Sequence, residues 1–157
     1  MPLPLHPRYQ IRQAFVARLK TPLDNVYPTM AKDNIYASRT KPLFDQFLPA
    51  ILVYTIDEQI ESDQYDGDGY APLVRKLSVD IEGAIKGSAQ LDDVLDDLAF
   101  EIETALDGWQ IPCKPSAVLH FASTDNAIIT EGNKLYGIVR LTYHVLYRTS
   151  VKQPEST

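Results

Sequence analysis

The run from Gly132 to Arg148 alternates without a break, and that alternation limits the fold more than any other part of the chain. Leu135, Gly137, Val139, Leu141, Tyr143, Val145 and Tyr147 fall on one side. Tyr136, Ile138, Arg140, Thr142, His144, Leu146 and Arg148 fall on the other. A period of two over this length specifies an antiparallel strand with one face buried. At ~3.3 Å per residue it would reach roughly 45 Å, against about five or six residues for an ordinary strand. A strand of that reach outruns the core of a small protein, so its exposed end needs something to pair with or cover it. The chain reads as a part of an assembly.

Its 157 residues suit one domain with a real core, expected over residues 1–149, followed by a polar tail from Ser150 to Thr157. Residues 1–7 carry no basic and apolar regions of the kind a signal peptide needs, and no apolar run approaches the ~20 residues of a membrane span. Cys113 is the only cysteine, which excludes an internal disulfide and a cysteine-based metal site and points to a reducing cytoplasm. The formal net charge of −6 has the wrong sign for a protein that grips phosphates, so no tight nucleic-acid binding is expected.

Pro7 suits the first turn of a helix, where its missing N–H costs nothing. Ile11, Phe15 and Leu19 then recur at four-residue spacing, and Thr21-Pro22 ends the pattern. Prolines punctuate residues 22–48, with Asn34 to Ala37 as a short edge strand. Ala50 to Ile56 is apolar on both faces, as a strand covered on both sides should be. Asp57 to Tyr70 reads as an acidic loop or hairpin connection.

From Leu73 to Lys86 alternation returns. Leu77, Val79, Ile81 and Ile85 face inward, while Lys76, Ser78, Asp80, Glu82 and Lys86 form a wet face. Leu91, Val94, Leu95, Leu98, Ile102, Ala105 and Leu106 predict a helix over Leu91 to Leu106, with Gly108 to cap it. Its outer face carries Asp92, Asp93, Asp96, Asp97, Glu101 and Glu103 and no basic partner, which makes it a solvated face or a docking face for a basic surface. Ala117 to Phe121 reads as a strand and Ser123 to Asn126 as a turn before the last strand. The sum is an α+β fold: a mainly antiparallel sheet of four or five strands, two helices packed on one face, and a long C-terminal strand.

Tests for chemistry return little. Asp63, Asp66 and Asp68 before Gly69 fail as a calcium loop, because Gly69 at the sixth position puts Arg75 where the final acid belongs. Asp80 and Glu82 share a strand face, but Lys86 lies four residues on, roughly 13 Å along the strand. His6, His120 and His144 have no metal-binding spacing, and Trp109 reads as a lid on the core. No nucleophile elbow, phosphate loop or dinucleotide fingerprint occurs, and nothing implies a cofactor. The expectation is a protein that is not an enzyme.

From Ile11 to Tyr147 the order of elements resembles the tail-terminator (minor tail protein U) family of long-tailed phages. The residues that carry the resemblance are the amphipathic first helix and Phe47-Leu48-Pro49-Ala50-Ile51-Leu52-Val53-Tyr54, an aromatic-x-Pro-Ala leading into an apolar strand. They continue with Leu77-Ser78-Val79-Asp80-Ile81, Leu91-Asp92-Asp93-Val94-Leu95, and Leu141 to Tyr147 at the close. The segment from Asn25 to Phe44, the loop around Gly67 and the polar tail depart from the family pattern. The resemblance implies a structural virion protein, assembled in the host cytoplasm and residing in the tail. Its copies would form a ring, typically a hexamer, that caps the tail tube and ends its growth. Its partners would be further copies of itself, the tail-tube protein and the head-completion protein.

Ring closure needs one patch to meet a different patch on the next copy. Arg39, Lys41, Arg75 and Lys76 against Asp92, Asp96 or Glu101 is the charge-complementary candidate, with Tyr65 and Tyr70 as further candidate interface residues. Two alternatives from other classes are a metal-dependent nuclease or hydrolase using Asp80 and Glu82, and a monomeric α+β binding module.

Overall fold

The computed structural model describes residues 5–40, 45–62 and 73–149. The chain runs α1 (Pro7–Lys20), β1 (Ile35–Tyr36), a 3-10 turn (Asp45–Phe47), β2 (Ala50–Ser62), β3 (Leu73–Lys86), α2 (Leu91–Leu106), β4 (Val118–Glu131) and β5 (Lys134–Thr149). The five strands form one sheet in the order β1-β2-β3-β5-β4. β1 is parallel to β2, and every other neighbouring pair is antiparallel. This is the α+β architecture that the patterning predicts, with the long final strand at its heart.

Both helices pack on one face of the sheet. Ile11, Phe15 and Leu19 of α1 and Leu95, Leu98 and Ile102 of α2 share a core with Val53, Leu77, Val79, Ile81, Leu141 and Val145. All twelve are buried, and each such side chain contributes ~1.5–3 kcal/mol relative to exposure. α1 touches β1 and β2, whereas α2 touches β3 and β5. Two sheet glycines let α2 come close: a Cβ on Gly83 would meet Leu98 Cδ2 at 2.5 Å, and one on Gly137 would meet Leu91 Cδ1 at 2.6 Å. Trp109 closes the end of the core as a lid, its ring edge-on to Phe15 with centroids 5.1 Å apart.

Local signals explain the helix ends. His6 caps α1, its Nδ1 accepting from the Arg8 N–H at 3.1 Å, with Pro7 in the first turn. α2 carries Asp92 and Asp93 in its first turn, where the helix dipole favours them. Beyond its last turn Gly108 takes a φ of 68°.

Four sequence expectations change. Ser123 to Asn126 is not a turn; it pairs with β5 inside a continuous β4, with a bulge between Phe121 and Ser123. The unpaired edge of β5 offers a full ladder of backbone partners, and satisfying it outweighs the turn preference of these side chains. The real reversal is Gly132-Asn133, between the paired Glu131 and Lys134, with Gly132 at a φ of 63°. Asp57 to Ser62 likewise belongs to β2 rather than to a loop, held against β3 through two register shifts.

The apolar run of β2 is covered on both faces only as far as Val53, and Ile56 is 48% exposed because the short β1 stops at Tyr36. Asp80, expected on a wet face, is 3% exposed, because Thr142 and Arg140 reach over it from β5. The polar tail at 150–157, the loop around Gly67 and the residues Lys41, Tyr65 and Tyr70 lie outside the described residues.

Candidate assembly surface

The helix layer stops short of β4. This strand forms one edge of the sheet, and nearly every residue along its 14-residue length is exposed, on both faces. Val118, Phe121, Ile128 and Ile129 are large apolar side chains left in solvent there. A long edge strand with apolar side chains and open backbone groups is a surface that soluble proteins ordinarily cover or blunt. The sequence hid it, because a strand exposed on both faces has no burial periodicity.

Along the helix side of β4 runs a groove of about 690 Å³, lined by Phe100, Glu103, Asp107, Trp109, Phe121 and Tyr143. A second hollow of about 380 Å³ lies on the far flank of α2, between Leu23, Val26 and Ala105. Phe100 lines both hollows and is 69% exposed. It is the one apolar residue set among the acids of the helix's outer face, which was the sequence signal for this site. Helical spacing puts Asp92 and Asp96 on the stripe of Glu103 and Asp107, beside β4. No ion pair among the described residues uses an acid of α2. Burial, with Glu103 and Asp107 nearby, pushes the Tyr143 phenol well above its ordinary pKa.

The structure separates the other sequence-predicted residues. Glu101 accepts the Met30 N–H at 2.8 Å and ties the loop before β1 to α2. Arg75 lies on the helix side of the sheet, 2.9 Å from Glu58 and donating to the Thr149 hydroxyl at 2.6 Å. Lys76 points to the opposite side, 4.0 Å from Glu61. Arg39 lies over the Tyr54 ring at 5.5 Å and donates to the Thr55 carbonyl. Asp92 and Asp96 stay exposed together, whereas Arg39, Arg75 and Lys76 are dispersed.

The open face of the sheet carries a polar cluster that joins four strands. Arg140 reaches Glu82 at 3.2 Å, Asp80 at 3.6 Å and Asp125 at 3.9 Å. Tyr54 donates to Glu82 at 2.7 Å, and burial followed by that hydrogen bond raises its pKa to about 12. Thr142 donates to Asp80 at 2.7 Å, yet burial still holds the Asp80 pKa above the ordinary carboxylate value. Arg140 thus occupies the position between Asp80 and Glu82 that a metal would need. Lys86 is drawn off to Asp45 at 3.2 Å.

The sequence also left His120 and His144 unconnected, but they are cross-strand partners with ring centroids 6.5 Å apart. Among the described residues no three His, Cys, Asp or Glu side chains are grouped to hold a metal ion. No helix among them is long and apolar enough to cross a membrane. Comparison with known protein families and with curated proteins returns no match for this chain.

Proposed function

We propose that this protein is an architectural component of a long-tailed phage or prophage. In this reading its copies close into a ring, typically of six, on the last ring of tail-tube protein. The ring ends tail growth and presents a surface for the head-completion protein. The observation that carries the reading is β4: a long edge strand bare on both faces, with exposed apolar side chains beside a helix whose acids form no ion pair among the described residues. Such an edge is costly in a monomer and useful in an assembly. The resemblance of the element order to tail terminators supplies the kind of assembly, and the net charge of −6 suits a lumen through which DNA passes without sticking.

The test is absolute molar mass by light scattering on a sizing column over a concentration series, with particles from the leading peak imaged by negative stain. A ring-sized species that grows with concentration is the expected result. A monomer at every concentration, with or without added tail-tube protein, overturns the reading.

A further inference from the structure

The helix layer has an order of its own: α1 over β1 and β2, α2 over β3 and β5, and neither helix over β4. A trough therefore runs beside α2, with the helix side of β4 as its floor. Phe121, Thr124, Asn126 and Ile128 form that floor, and Asp92, Asp96, Glu103 and Asp107 stand along the wall. An occupant has to be apolar or small where it meets the floor and basic where it meets the wall.

The opposite end of the same layer offers such a surface. α1 contains Arg8, Arg12, Arg18 and Lys20 and no acid, while α2 contains only acids among its charged residues. Arg18 is used inside the fold, donating to the Ala105 carbonyl at 2.8 Å. Arg8 lies 4.0 Å from Glu58 and Arg12 donates to the Thr55 hydroxyl at 3.3 Å, but Arg12 and Lys20 have no ion-pair partner among the described residues. Arg12 lies over the exposed Tyr9 ring at 5.6 Å, and Ala17 presents a small side chain at mid-helix.

The lengths also agree. The 14 residues of α1 span roughly 21 Å at ~1.5 Å each. The floor from Phe121 to Ile128 spans roughly 23 Å at ~3.3 Å per residue.

Resting on the ring reading above, we infer that the outward face of α1 of one copy docks in the α2–β4 trough of the next copy. Donor and acceptor surfaces lie at opposite lateral ends of one layer, so the contact is head-to-tail and repeats around a ring. It is an alternative to the pairing expected from sequence, three of whose basic members, Arg39, Arg75 and Lys76, the fold separates. It also covers the bare side of β4 with a third helix.

Two variants test the contact from its two sides: Ala17→Glu with Lys20→Glu on α1, and Asp96→Lys with Glu103→Lys on α2. All four positions are outside the shared core, and folding is checked by circular dichroism and thermal melting. Each double variant should weaken self-association on the order of a hundredfold, because like charges then face each other. The α2 variant should melt no lower than wild type, since it relieves repulsion among unpaired acids. That sets its loss of assembly apart from a folding defect.

In a mixture of the two variants both contacts are attractive, an acidic α1 against a basic trough and a wild-type α1 against a wild-type trough, so rings of alternating variants should form from otherwise monomeric chains. A single chain carrying all four substitutions restores opposite charges and should regain the ring. If wild type forms rings and the variants keep them, the contact is wrong and the ring reading survives. If wild type stays monomeric throughout and the mixture does not associate, both fall.

Discussion

The Arg75 guanidinium lies 2.9 Å from a Glu58 carboxylate whose side chain is only 7% exposed. Tyr147 donates its hydroxyl to the same carboxylate, and Thr149 accepts from Arg75 at 2.6 Å. The knot joins β2, β3 and β5 beside the N-terminal end of α1, whose Arg8 lies 4.0 Å from the same Glu58. Removing one member of a buried pair leaves its partner desolvated and alone, so Glu58→Ala should cost about 3 kcal/mol. Urea unfolding followed by circular dichroism measures it. A change within a few tenths of wild type would show that solvent already compensates the pair.

Asp80 gives a pH signature. Burial raises its folded pKa above the unfolded value, despite the Thr142 hydrogen bond and the nearby Arg140. Between those two values the folded chain holds a proton that the unfolded chain has released, so this residue's contribution to stability falls as pH rises through the window. Asp80→Asn should therefore compare more favourably with wild type near pH 7 than near pH 3.5, on either side of the ordinary carboxylate range. Denaturant titrations of both proteins at the two pH values give the difference, and an equal effect at both would refute the burial argument.

His144 should act in the opposite direction. Burial, with Lys76 and His120 close by, holds its folded pKa below the ordinary imidazole value. As pH falls through about 6.5 the unfolded chain gains a proton that the folded chain resists, and stability is lost. His144→Gln should melt over a smaller temperature range than wild type as pH drops from about 7.5 to about 5. The lowered pKa of His6 adds a residual slope of the same sign in both proteins.

Gly137→Ala probes the approach of α2 to the sheet. The added Cβ would sit 2.6 Å from Leu91 Cδ1 and 3.1 Å from Leu95 Cδ1, and Leu95 is fully buried with nowhere to turn. Overpacking of this kind costs ~1–3 kcal/mol. Adding Leu91→Val should recover part of the loss, since the two sites touch and their effects should not add. Purely additive losses in the double variant would mean that α2 shifts as a body instead.

Much of the fold was legible in the sequence because burial was periodic there. α1, β3, α2 and β5 each bury one stripe or one face, and their spacing gives them away. The start of β4 was legible in Ala117 to Phe121, but the second half of β2 and β4 beyond Phe121 were not, because their geometry comes from the strand beside them rather than from their own side chains. Arg140 shows the same limit. Its three carboxylate partners stand on two other strands, β3 and β4, and only the sheet register brings them together. Phe100 was passed over in the sequence reading, although an apolar residue on an acidic face is a signal, and it marks the trough that the spacing of the acids alone did not reveal.

The sheet order carries one more consequence, for synthesis. β5 lies between β3 and β4 and completes the core, yet among the described elements it is made last. Until residues up to Thr149 have left the ribosome, β3 lacks one of its two neighbours and α2 has only β3 beneath it. The chain must then wait, largely unclosed, through the translation of the elements before β5, and fold as a unit once β5 is made. The trough emerges with the same event, so no nascent fragment carries a finished docking surface that could capture a completed copy too early.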